Sequence, residues 1–173
     1  MPVRPCTLPA TALLLRYSSQ RMSGAYTDCF AVEAMGHISH TRFVEAFYTS
    51  WLFKIERMIL RFVMARPSTD VQAGQLAAGL TDRFSAWSVE DRTPDQLLMA
   101  DMMGRTRSWL MVEKCAVDAN GQAAATRLLF GSAVVPAQNR SDAPQRLGYV
   151  FHALLWFHQI YSRLLLGAAL RNL

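Results

Sequence analysis

The stretch from Arg83 to Pro136 constrains the fold more than any other part of the chain. Arg83–Glu90 alternates in polarity and ends at the turn cluster Asp91-Arg92-Thr93-Pro94. Asp95–Met103 is a second run, closed by Gly104. Arg105–Val117 is a third, closed by Asp118-Ala119-Asn120-Gly121, where Asn-Gly is a strong hairpin signal. Ala124–Val135 is a fourth, stopped by Pro136. Runs of this kind, joined by short polar turns, pair as sequential antiparallel strands.

The turns fix an expected register. A two-residue loop at Gly104-Arg105 sets Ala100 opposite Trp109. Pairing Asp91 with Pro94 sets Trp87 opposite Leu98. Pairing Val117 with Gln122 sets Trp109 opposite Phe130 and Arg107 opposite Ser132. Cross-strand partners share a face. One face then carries Trp87, Leu98, Arg107, Trp109, Phe130 and Ser132, and its large aromatics assign it to the interior. The other carries Ser88, Met99, Asp101, Ser108, Leu110, Arg127 and Gly131. A one-residue error in any turn inverts a strand.

Before this stretch, Tyr26–Ala34 alternates as a first strand, and Gly36–His40 reads as a loop. Ser39 or Thr41 caps a helix whose apolar positions (Phe43, Val44, Phe47, Trp51, Leu52, Ile55, Met58, Ile59, Phe62) recur at three and four. Lys54, Arg57 and Arg61 fall on the opposite side. Thr49-Ser50 divides the segment in two, and Arg66-Pro67 ends it. Ser68-Thr69-Asp70 caps a small helix over Val71–Ala78. After the strands, Ala137–Pro144 is a polar loop and Gln145–Leu170 the longest helical pattern, apolar on most sides. His152, His158, Gln159, Arg163 and Arg171 interrupt it, which argues against an integral membrane span.

The chain has 173 residues, one domain by size, with 51% hydrophobic and 18% charged residues and a net charge of +5. Arg4, Arg16 and Arg21 supply much of that charge from a segment without acids. The remainder is barely basic, so no nucleic-acid partner is indicated. Residues 1–24 hold a short apolar run behind Arg4 but no clean cleavage site. They read as a disordered or weakly ordered arm, dispensable for folding, with translation starting at Met1 or Met22. Residues 25–173 are the folded domain. Cys6, Cys29 and Cys115 give no disulfide framework and no zinc spacing, and a reducing cytoplasm is the expected location. His37 and His40 lie beside Gly36 without a third ligand, so no metal site is expected. No catalytic motif and no cofactor loop is present in the sequence.

The expected class is α+β: a curved antiparallel sheet of about five strands gripping a long C-terminal helix, with two or three helices between the first and second strands. This element order, and the stretches FVEAFYTSWLFKIERMIL, GRTRSWLMV and LLFGSAVVP, resemble the helix-grip fold of the START and birch-pollen-allergen superfamily, which includes polyketide cyclases and aromatase-like proteins. Small bacterial proteins of unknown function share the layout. The resemblance covers residues 26–172 at the level of element order, with five strands where the superfamily has six or seven. It implies a cavity between sheet and helix used for apolar ligands, in some members for cyclisation.

Three sets of residues then bear on function. Arg107, inward on the expected register, needs an anion. That anion is a ligand carboxylate or enolate, or an internal acid such as Glu113, Glu45 or Glu56. Trp87 and Trp109 could stack on a ring, or be plain core. His158 and Tyr161, three apart on one helix face, could do acid–base work, or His158 could be an ordinary helix histidine capped by water. The expected function is binding of an apolar or aromatic small molecule bearing an acidic group. The expected site comprises Trp87, Arg107, Trp109, Phe130, Ser132, His158 and Tyr161. The alternatives are a homodimeric interaction protein with a filled core, and a cyclase or isomerase using His158 or Tyr161.

Overall fold

A computed structural model describes residues 2–18, 21, 25–64, 67–117, 123–135 and 160–173. The chain is α+β. Among the described residues, one antiparallel sheet of seven strands runs in the order β1-β2-β7-β6-β5-β4-β3. The strands are β1 (Arg4–Pro5), β2 (Tyr26–Met35), β3 (Arg83–Phe84), β4 (Trp87–Arg92), β5 (Gln96–Asp101), β6 (Thr106–Val117) and β7 (Ala123–Val134). Three helices, α1 (His40–Tyr48), α2 (Trp51–Met64) and α3 (Asp70–Ala77), connect β2 to β3. A further helix, α4, covers 160–170. Among the described residues no helix is long and apolar enough to cross a membrane.

The helix boundaries follow their caps. The Ser39 hydroxyl accepts the Arg42 N–H at 3.2 Å to start α1. Thr69 and Gln72 form a reciprocal capping box at α3. α1 ends just before Thr49, whose hydroxyl bonds back to the Glu45 carbonyl at 2.7 Å. The apolar face of α1 is buried as its period requires, through Phe43, Val44 and Phe47. α2 differs from expectation. Trp51, Ile55 and Met58 are exposed, while Phe53 and Arg57 are buried. Arg57 is accommodated because Asp70 (2.6 Å) and Ser68 answer its guanidinium, which also lies over the Phe84 ring at 5.5 Å.

The sheet has more strands than the five expected. Arg83–Glu90 divides at Ser85, where a positive φ of 56° turns the chain sharply between β3 and β4. The other addition, β1, pairs with β2 from within the N-terminal arm.

Register separates residues that the turn arithmetic puts together. Leu98 lies opposite Trp109, and Ala100 opposite Arg107, two places from expectation, so the faces of β5 and β6 stand. The cause is a longer turn, in which Asp101 Oδ1 accepts the N–H groups of Arg105 (2.7 Å) and Thr106 (3.2 Å) and Gly104 takes φ 66°. Val117 pairs with Ala123, one place later than expected, so Trp109 faces Gly131 and Leu110 faces Phe130. A bulge between Val89 and Asp91 accompanies the pairing of Trp87 with Asp101. Trp87, Phe130 and Ser132 therefore share the helix side of the sheet, and Arg107 and Trp109 point to the other.

Both faces are covered. The four helices pack on one through Phe43, Phe47, Phe53, Leu165 and Leu166, against Leu97, Met99, Leu110, Leu128 and Phe130. The arm packs on the other. Its 3-10 helix, Leu13–Tyr17, sets Leu14 (0% exposed) among Leu98, Trp109, Met111 and Leu129. A Cβ at Gly131 would meet Leu14 Cδ2 at 2.8 Å, the Asp28 carbonyl at 2.9 Å and the Trp109 ring at 3.0 Å, so only glycine lets the arm sit this close. The weakly ordered arm expected from composition is thus, over residues 2–17, a layer of the fold. It buries apolar side chains that would otherwise leave the second face of the sheet wet.

Candidate functional site

A cavity of about 700 Å³ lies between the helix side of the sheet and helices α2 and α4. Aromatic and aliphatic side chains form most of its wall: Phe47, Leu52, Phe53, Trp87, Phe130 and Leu165. Ile55, Met102, Met103, Ile160 and Leu164 also line it and are exposed, so its rim is apolar too.

Among the described residues, the polar groups within it are few. Glu56 sits on α2 four residues after Leu52 and three after Phe53, on the same helix face. Tyr161 of α4 donates its phenol hydrogen to Glu56 Oε2. The Trp87 indole approaches the same carboxyl as a further donor. Loss of water pushes the Glu56 carboxyl above its usual range, and the Tyr161 and Trp87 donors oppose that rise only in part. Burial, and then the neighbouring Glu56, push the Tyr161 phenol well up. A carboxyl raised in this way beside a phenol can donate or accept a proton or a hydrogen bond in an apolar space.

Ser132 and Ser108 complete the sheet wall. Ser132 donates to Asp28 Oδ1 at 2.6 Å, and its backbone N–H meets the same oxygen at 3.0 Å. Ser162 lines the cavity from α4, and its buried hydroxyl has no hydrogen-bond partner among the described residues. Tyr48, next to the cavity-lining Phe47, is fully buried, and its hydroxyl donates to Met99 Sδ at 3.0 Å.

Of the residues expected at the site, the cavity brings together Trp87, Phe130, Ser132 and Tyr161. His158 lies outside the described residues. Trp109 is fully buried under the arm, with its indole N–H donating to Gln96 Oε1 at 2.9 Å. The same oxygen accepts the Leu13 N–H at 3.0 Å, and Gln96 Nε2 donates to the Thr11 carbonyl at 3.1 Å, so Trp109 belongs to the joint between arm and sheet.

Arg107 borders the cavity, but its guanidinium turns to the arm side. Nε meets Glu90 Oε2 at 2.5 Å, Nη1 donates to the Gly104 carbonyl at 2.8 Å, and the group lies 4.7 Å from the Tyr17 ring centroid. Tyr17 in turn donates to Glu90 Oε1 at 2.5 Å. The anion that Arg107 requires is thus an internal carboxylate, two strands away in the sheet. Glu90 escapes the turn arithmetic because the bulge beside it shifts β4.

Glu56 is the functional candidate that the sequence reading treats only as a partner for Arg107. Its signal is an acid within the apolar stripe of α2, between Leu52 and Ile59, where a surface helix would place a hydrophobic residue.

A scan against protein-family models finds no match, and a search of curated proteins finds none either.

Proposed function

We propose that this chain binds an apolar or aromatic small molecule in the cavity between the sheet and helices α2 and α4, with a hydrogen-bond donor of the ligand, a hydroxyl or amine, meeting Glu56 and Tyr161. The observation that carries this reading is the cavity itself: about 700 Å³, apolar in most of its wall, with one buried acid–phenol pair. That size and composition suit a drug-sized ligand. Ser162, a wall hydroxyl without a partner among the described residues, is a second polar contact for the ligand to satisfy.

An acidic ligand is disfavoured. Among the described residues, the charged side chains bordering the cavity are Glu56, Asp101 and Arg107, and Arg107 is committed to Glu90. A carboxylate entering here would lose its water with no uncommitted cation among the described residues in exchange. The resemblance to helix-grip proteins supports the same reading. A strand, three helices, a run of antiparallel strands and a C-terminal helix follow in that order, with β2 closing against β7. A cyclase or isomerase role would rest on Glu56 and Tyr161 as the acid–base pair.

The exposed rim favours a second reading, a homodimer. Trp51 and Met58 are exposed as well and lie four before and three after Ile55, on the same side of α2. Large exposed apolar side chains around a cavity mouth fit an interface. Native mass spectrometry of freshly expressed protein separates the two. The ligand reading expects a monomer carrying a small molecule that leaves on denaturation, or an empty protein that takes up one equivalent of a neutral apolar probe. A dimer that takes up no probe would overturn it.

A further inference from the structure

We propose that Cys6 and Cys29 are a redox-active pair that closes a disulfide between the N-terminal arm and strand β2. The register Arg4↔Ala31 and Pro5↔Phe30 continues to place Cys6 opposite Cys29, and the Cys6 N–H donates to the Cys29 carbonyl at 2.9 Å. Residues directly opposed on antiparallel strands have Cα atoms about 4.5–5.5 Å apart, within the range a disulfide spans. The two thiols already meet, Sγ to Sγ at 2.8 Å. Forming the bond therefore requires no movement of the backbone.

The two cysteines are not equivalent. Cys29 is buried and borders one surface cleft, whereas Cys6 is half-buried and borders that cleft and a second, so Cys6 is the more accessible to a reagent in solution. The hydrogen bond shared with Cys29 holds the Cys6 thiol below its usual range, against its own desolvation and with help from the charge of Arg127. Cys29 is pushed up, by the same hydrogen bond and by burial. Cys6 is the attacking thiolate and Cys29 the resolving thiol.

The oxidant is a small-molecule disulfide such as oxidised glutathione. The Cys6 thiolate attacks one of its sulfurs, forms a mixed disulfide and expels one thiolate. Cys29 then loses its proton, attacks the Cys6 sulfur and expels the second. Two protein thiols become one disulfide while the small disulfide is reduced to two thiols. The bond closes the loop 6–29 and fastens the layer that covers Trp109 and Gln96.

The test uses the full chain with the exposed Cys115 replaced, Cys115→Ser. It is incubated with oxidised glutathione, then denatured for thiol titration and intact mass. The expected result is loss of both thiols and of two hydrogens' mass, no adduct, and a melting temperature higher by on the order of 5–10 °C that dithiothreitol reverses. Adding Cys29→Ser should convert the product to a single glutathione adduct on Cys6. A stable adduct on Cys6 with Cys29 still present, a disulfide between two chains, or two thiols that persist would each overturn the proposal.

Discussion

Leu14→Ala tests whether the arm is a structural layer. Leu14 has no exposed surface and touches the sheet where Gly131 leaves room for it. Truncating a fully buried leucine costs about 2–5 kcal/mol, the transfer of the lost methylenes plus the void left behind. The site lies under a single strap of chain that can settle inward, so the lower half of that range is expected. In a chain of this length that lowers the melting temperature by on the order of 4–12 °C. Thermal melts by circular dichroism, paired with acrylamide quenching of tryptophan, make the assay. The loosened arm should also admit quencher to Trp109, which is fully buried in the parent. A change within about 0.5 kcal/mol, the range of surface substitutions, with quenching unaltered, would refute the packing. It would return residues 2–17 to the dispensable arm their composition suggests.

Arg107→Met should cost about 1.5–3 kcal/mol, as for loss of charged hydrogen bonds, because it strands the part-buried Glu90. Adding Glu90→Gln should recover part of that cost, and chemical denaturation of the double-mutant cycle reads it; no recovery would mean that the pair carries no coupling. Burial holds the His40 imidazole at about 4 against an ordinary 6.5, despite the Leu110 carbonyl and Asp95, with Arg92 adding to the depression. Between pH 4 and 6.5 the unfolded chain therefore binds more protons than the folded one, so stability is full above that window and falls as pH drops through it. The fall amounts to at most about 3 kcal/mol, and His40→Gln should flatten it in denaturation curves taken across the window; an unchanged slope would exclude His40 as its source. Glu56 has the opposite sign. Its raised carboxyl makes the folded state bind more protons above the ordinary carboxylate range, so stability declines as pH rises. Glu56→Gln should remove that decline, and a steeper one would show that the carboxylate is stabilised where it sits.

The order of elements was legible because it is written locally. Capping residues such as Ser39 and Thr69, the three-four period of α1 and the polar break at Thr49-Ser50 each depend on a few neighbours. The faces of the sheet were less legible, because parity is set by counts in the turns. One extra residue between β6 and β7 and one bulge in β4 sufficed to divide Trp87 and Phe130 from Trp109 and Arg107. The arm left a different trace. QLLMA, SWLMV and RLLF are apolar at consecutive positions, so both faces of those strands must be buried. Helices on one side cannot cover both, and the remaining apolar segment of the chain is the one around Leu13–Leu15. Glu56 left a local trace, an acid in the apolar stripe of α2, but its role and that of Glu90 depend on tertiary partners, Tyr161 and Arg107.

The most direct test of the central claim is a titration with two probes of similar shape and different charge, neutral N-phenylnaphthylamine and anionic anilinonaphthalene sulfonate. A cavity whose charged groups without an ion-pair partner, among the described residues, are the acids Glu56 and Asp101 should take the neutral probe at least about tenfold more tightly, a difference of about 1.4 kcal/mol. Glu56→Gln should narrow the gap, and Arg107→Met should leave it unchanged. Tighter binding of the sulfonate, lost in Arg107→Met, would contradict the account and restore Arg107 as the anchor of an acidic ligand.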